Sequence, residues 1–161
     1  MKKPDLLRAA LSRLPELARD PGRLAMWVDK GTIRAPMTCQ RGFSWDYELN
    51  AIVTDCATDP AAIFFIIADW LRIQQPDVLA PGKEGAFTFE ADILDDKSFD
   101  IHIVLQLTET VRAIPRDDGG VDLQTTAEPD PLFPDDEPLR LGNGVLTSIW
   151  SNGQQLAPSA T

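Results

Sequence analysis

Between Phe87 and Val111 apolar side chains fall at Phe87, Phe89, Ala91 and Ile93, and again at Phe99, Ile101, Ile103, Leu105 and Leu107, each alternating with mostly polar neighbours. A period of two is the mark of a strand with one buried face. The polar Asp95-Asp96-Lys97 between the runs suits a tight reversal. The stretch therefore predicts a β-hairpin with one apolar and one wet face. A lone hairpin is marginal in water, so the rest of the chain must supply further strands and a helical cover for the apolar face.

The flanking segments supply them. Leu6, Leu7, Ala10, Leu11 and Leu14 follow Pro4 at helical spacing, with a bend expected at Pro15 before Leu17 and Ala18. Asp20-Pro21-Gly22 ends that helix. Leu24, Met26 and Val28 then alternate with polar or exposed-type neighbours up to Ala35, with a bulge expected at Gly31. Phe43, Trp45, Tyr47, Leu49, Ala51 and Val53 form a second alternating run, close enough to the first for an antiparallel pair. Thr58-Asp59-Pro60 starts a helix, an oxygen-bearing cap followed by proline where a missing N–H costs nothing. Ile63, Ile66, Ile67, Trp70 and Leu71 give that helix an apolar stripe, and Phe64, Phe65 and Ile73 widen it, predicting burial on more than one side. Pro76 stops it. Val121-Asp122-Leu123 fits a short edge strand.

The order α-β-β-α-β-β predicts an α+β fold. It is a mostly antiparallel sheet of about four strands with two helices packed on one face, over residues 1–126. From 127 to 161 the composition changes. Residues 128–138 hold four prolines and five acids in eleven positions, which disfavours helix and ladder and predicts an extended acidic arm. Leu132 and Phe133 are its apolar anchors. Ile149 and Trp150 fit a short hairpin or docked segment, and the last eight residues read as a tail without regular structure.

Charge is uneven along the chain. Residues 1–35 carry eight basic and four acidic side chains, residues 86–161 four basic and fourteen acidic. With a net charge of −10 and no basic run, sequence-specific nucleic-acid binding is not expected. A chain basic at one end and acidic at the other can pair head to tail with copies of itself, although mixed surface charge ordinarily serves solubility alone. No segment reads as a signal peptide or a membrane span. Cys39 and Cys56 lack metal-ligand spacing and read as reduced thiols of a protein made in the cytoplasm.

No catalytic, cofactor or metal site emerges. His102, the single histidine, lies between Ile101 and Ile103 and so faces away from the apolar side; without a partner it is a surface histidine rather than a general base. The carboxylates Glu90, Asp92, Asp95 and Asp96 are outward strand and turn positions, a solvated face. Pro76-Asp77 with Asp95-Asp96-Lys97 spells the string of a metal-dependent nuclease. That string requires its carboxylates on neighbouring strands, whereas these residues flank a helix end and a turn. Arg34, Arg41, Asp95, Asp96, Lys97, Leu132, Phe133, Ile149 and Trp150 remain as candidate contacts with partners or with other copies.

The segments KPDLLRAAL, LARDPGRLAMWVDKGTI, RGFSWDYELN, DPAAIFFIIADWLRIQQPDVL, FTFEADILDDKSFDIHIVLQLTETVR and EPDPLFPDD, in that order, resemble the tail completion protein R family of peduovirus-type contractile-tailed phages and prophages. The likeness runs from Lys3 to Asp136. It implies a structural subunit that finishes the tail at the tube end that joins the head. Its partners would be tail tube and head–tail connector proteins, and its place the host cytoplasm during assembly and the proximal virion tail afterwards. The element order is also similar to ring-forming tail terminators, which implies a ring, possibly a hexamer. A baseplate or sheath-associated adaptor is the alternative role.

Overall fold

In the computed structural model, residues 1–39, 41–93, 98–128, 148–151 and 153–157 are described. Helix α1 (Lys2–Leu11) and the short α2 (Pro15–Arg19) precede strands β1 (Leu24–Arg34) and β2 (Gly42–Cys56). Helix α3 (Pro60–Gln74) follows, then β3 (Thr88–Ile93), β4 (Phe99–Pro115) and β5 (Val121–Thr126). The bend falls at Pro15, and a 3-10 turn occupies Pro21–Arg23. Asp59 caps α3 by accepting from the Ala61 N–H at 2.8 Å, with Pro60 in the first turn.

All sheet pairings are antiparallel, in the order β1-β2-β4-β3, with β5 also on β4. The sheet thus has five strands where about four were expected. β3 pairs with β4 over residues 99–104 and β5 over 110–115, both on the flank opposite β2. The register of β1 on β2 shifts between Val28 and Gly31. A Cβ on Gly31 would stand 2.9 Å from the Asp46 carbonyl oxygen, so the bulge requires glycine.

The core lies between the helices and one face of β2 and β4. Leu49, Ala51, Val53, Ile101, Ile103, Leu105 and Leu107 meet Leu7, Leu11, Leu14 and Leu17 from the first helices and Ile63, Ile67, Trp70 and Leu71 from α3, all buried. Two expectations fail in physical terms. Phe65 and Ile73 are about half exposed, so α3 is buried on a single side, with only Phe64 extending it onto Phe87 and Phe89. And β3, although its apolar row shares the face of Ile101 and Ile103, is exposed along its whole length. Apart from the Phe64 ring on Phe89, the helical layer does not cover the sheet edge.

A two-stranded hairpin, β6 (Ile149–Ser151) with β7 (Gln154–Ala157), follows the arm, so part of the expected unstructured tail is a strand.

Candidate assembly interface

β4 has 17 residues and β2 has 15, lengths of roughly 55 and 50 Å at about 3.3 Å per residue. α3, at 15 residues, spans only about 22 Å. One end of the sheet is therefore left uncovered. There the distal half of β1, the first residues of β2, the last residues of β4 and all of β5 project past the helices. Ile33 is 67% exposed, Leu123 61% and Val121 54%, and all three lie on the face that the helices bury elsewhere. Phe43 and Trp45 sit half-buried between them, edge to face at 5.7 Å.

A groove of about 860 Å³ runs along this end, walled by Pro36, Arg41, Phe43, Val111, Ala113 and Ile114 among others. β2 and β4 approach closely there because position 42 is glycine: a Cβ would stand 2.7 Å from the Val111 carbonyl oxygen. Arg41 is exposed on its rim, its carbonyl accepting the Ala113 N–H at 2.8 Å. Arg34 is exposed at the end of β1 and pairs with Asp46. The Asp46 carboxyl is held below its ordinary value, first by the Thr108 hydroxyl, which donates to it at 2.7 Å, and further by Arg34.

At the junction of the covered and bare parts lies a buried polar cluster. Glu109 occupies an inward position of β4 and is almost fully buried. Its carboxylate accepts from the Lys2 and Lys3 backbone N–H groups, both at 3.1 Å, and from the Tyr47 hydroxyl at 2.6 Å. It thus caps α1, whose own first residue offers no side-chain cap. Burial by itself would raise this carboxyl, but the Tyr47 hydroxyl, the two amides and the nearby amino-terminal charge outweigh it and hold it below the ordinary 4.5. The same environment pushes the Tyr47 phenol upward, first through burial and then through the adjoining carboxylate.

Lys3, also buried, donates to Gln75 Oε1 at 2.6 Å, to the Thr108 carbonyl at 2.5 Å and to Glu128 Oε1 at 2.6 Å. Gln75 in turn accepts from the Thr108 N–H at 3.0 Å. These side chains occupy the stretch of β4 edge between β3 and β5, where no described strand pairs, and satisfy the Thr108 N–H and carbonyl there.

A family model described as the P2 phage tail completion protein R matches residues 1–131. The curated relative "Tail completion protein R" of Escherichia phage P2 is 39% identical over 154 residues, covering 93% of this chain and 99% of that protein. The chain belongs to the tail completion protein R family. No solved structure matches it.

For a tail completion protein the residues singled out in the sequence are scattered. Arg34 and Arg41 stand at the bare end of the sheet. Asp95, Asp96, Lys97, Leu132 and Phe133 lie outside the described residues. Ile149 is half-buried and packs against this protomer's own core, whereas Trp150 is 61% exposed. Asp77 of the nuclease-like string accepts from Gln75 Nε2 at 2.6 Å within the 3-10 turn Pro76–Leu79, a structural task. His102 stacks on Trp27 and bonds Asn50 Oδ1 at 2.8 Å. Cys39 is exposed and Cys56 buried, both as free thiols, and burial, with Glu16 beside it, pushes Cys56 up to about 12. Among the described residues no helix is long and apolar enough to cross a membrane.

Glu109 and Gln75 were not foreseen. Continuing the alternation of Ile101 to Leu107 by two more residues places Glu109 inside, beside the helix that opens the chain, and that was the available signal.

Proposed function

We propose that this tail completion protein acts by binding rather than catalysis, closing as a ring on the end of the tail tube and presenting a new surface to the head connector. The observation that carries this reading is the bare end of the sheet. Exposed Ile33, Val121 and Leu123, together with the groove beside Arg41, offer apolar area that the protomer does not cover. A ring of such subunits removes the free growing surface of the tube, because a heterologous interface that closes ends growth in its own plane. Its partners are further copies of the chain, the tail tube protein and the connector.

The arm from residue 127 contributes a second contact in this reading, with Leu132, Phe133 and Trp150 as apolar anchors. Its first acid, however, is already matched: Glu128 pairs with Lys3 of the same protomer. Of the basic residues among the first 35, Arg23, Lys30 and Arg34 also have carboxylate partners within the chain. Lys2, Arg13 and Arg19 are exposed and without an acidic partner among the described residues, so they are the cations open to a neighbour's arm. Truncation after Glu128 keeps the Lys3 pair and isolates the arm's role. The shortened protein is expected to stay folded in thermal melts and to lose binding to tube protein.

Immunogold labelling of particles tests the placement. Label at the head-proximal end of the tail supports it; label at the baseplate or along the sheath refutes it in favour of an adaptor.

A further inference from the structure

We propose that β1 of one copy of this chain adds to β3 of the next, so that the sheet continues from protomer to protomer; the pairing presupposes the self-assembly proposed above and names its surface. β1 and β3 are the two outer strands of the four-stranded path, and among the described residues no strand pairs with the outer row of backbone donors and acceptors of either. Among the described residues only the start of β1 is blocked, where Arg8 Nη1 donates to the Leu24 carbonyl at 3.1 Å.

The side chains of β3 define what fits beside it. On the helix-bearing face Phe89 is 52% and Ile93 84% exposed. On the opposite face Glu90 stands across from His102, and Asp92 directly across from Asp100, two like charges with no cation between them among the described residues. A complementary strand therefore carries an apolar row on the first face and cations on the second. β1 has both. Met26, Val28 and Ile33 form its apolar row, and Lys30 and Arg34 lie on the other face, where they meet Glu48 and Asp46 of β2. β5 is excluded as the source, since it carries Asp122 on that face and no cation at all.

Strand direction agrees. Three antiparallel steps lead from β1 through β2 and β4 to β3, so an incoming β1 that keeps the helices on one face runs antiparallel to β3. A symmetric β3–β3 contact would instead set Glu90 and Asp92 against themselves. The contact is thus heterologous, and repetition either closes a ring or runs on as a filament.

Benzophenone-alanine incorporated at Phe89 of the full chain, irradiated in a mixture of heavy- and light-isotope protein, tests it. The expected adducts join position 89 to the 24–34 peptide of another copy. The paired substitution Glu90→Lys with Asp92→Lys, at exposed positions, is expected to weaken self-association by about tenfold without lowering the melting temperature. An oligomer that cross-links elsewhere and keeps its mass in the Lys variant overturns the strand pairing and leaves the ring reading standing. A chain that light scattering shows to be monomeric at every concentration overturns both.

Discussion

Two residues apart on β2, Tyr47 and Trp45 point to the same face and meet different worlds. Tyr47 is buried in the core and bonded to Glu109; Trp45 is half-buried at the margin of the core, and beyond it Ile33 is open to solvent. The strands do not change at this boundary, since β2 and β4 pair in register from Gly42 to Val53. What changes is cover. A helix gains about 1.5 Å per residue and a strand more than twice that, so three short helices cannot roof strands of this length. The uncovered remainder is a consequence of element lengths, and it leaves apolar area already ordered by the ladder.

Substitutions in the two regions should therefore behave in opposite ways. Trp70→Ala, under the covered half, is expected to cost about 3–5 kcal/mol in denaturant melts through lost burial and a cavity. The low end is favoured because the buried Trp70 Nε1–H has no partner among the described residues, and its removal relieves that deficit. A loss under about 1 kcal/mol would put Trp70 outside the core.

At the boundary, Glu109→Ala strips the cap from α1 and orphans two amides and the Tyr47 hydroxyl. A loss of about 2–4 kcal/mol is expected, and Tyr47→Phe should cost less, since it leaves both amides bonded. Equal effects of the two variants would mean that the amide contacts contribute nothing.

The same carboxylate sets a pH dependence. Its folded pKa lies below its ordinary value, so its contribution is complete above that value and is lost as pH falls through the folded pKa. Melting temperatures of the wild type should drop on acidification below about 4.5, the ordinary value, and Glu109→Gln should flatten that slope. A variant with an unchanged slope would assign the acid sensitivity to other carboxylates.

The smallest effect on the fold is expected at the bare end. Leu123→Ser and Ile33→Ser should shift stability by no more than about 0.5 kcal/mol, while reducing binding to tube protein in pull-down assays. A large loss of stability would show that these side chains are covered within the protomer, and normal binding would remove the bare end from the assembly surface.

Much of this division was legible in the sequence, and its limits have a physical cause. Alternation told which residues of β3 share a face with Ile101 and Ile103; it could not tell whether a helix reaches them, because that depends on where α3 lands across the sheet. The caps at Asp59 and Pro60 and the bulge at Gly31 were readable because they are local. Glu109 and Lys3 were not read, since their partners are supplied by tertiary contact: Glu109 and Tyr47 are 62 residues apart and Lys3 and Glu128 are 125 apart. At the bare end of the sheet, Arg34 and Arg41 stood out by their charge, whereas Val121 and Leu123 read as an ordinary edge strand whose exposure depends on where the helices stop.

The Glu109 cap also orders events during synthesis. α1 leaves the ribosome before β4, and the group that closes its amino end is made 107 residues later. Ten residues are too few for a helix to persist alone in water, so the opening segment waits, exposing Leu7 and Leu11, until β4 has emerged. Closing so distant a pair late is slow relative to local folding. Nascent chains halted before residue 109 should accordingly remain open to proteases in the α1 segment, and that segment is committed to its place only once β4 has been made.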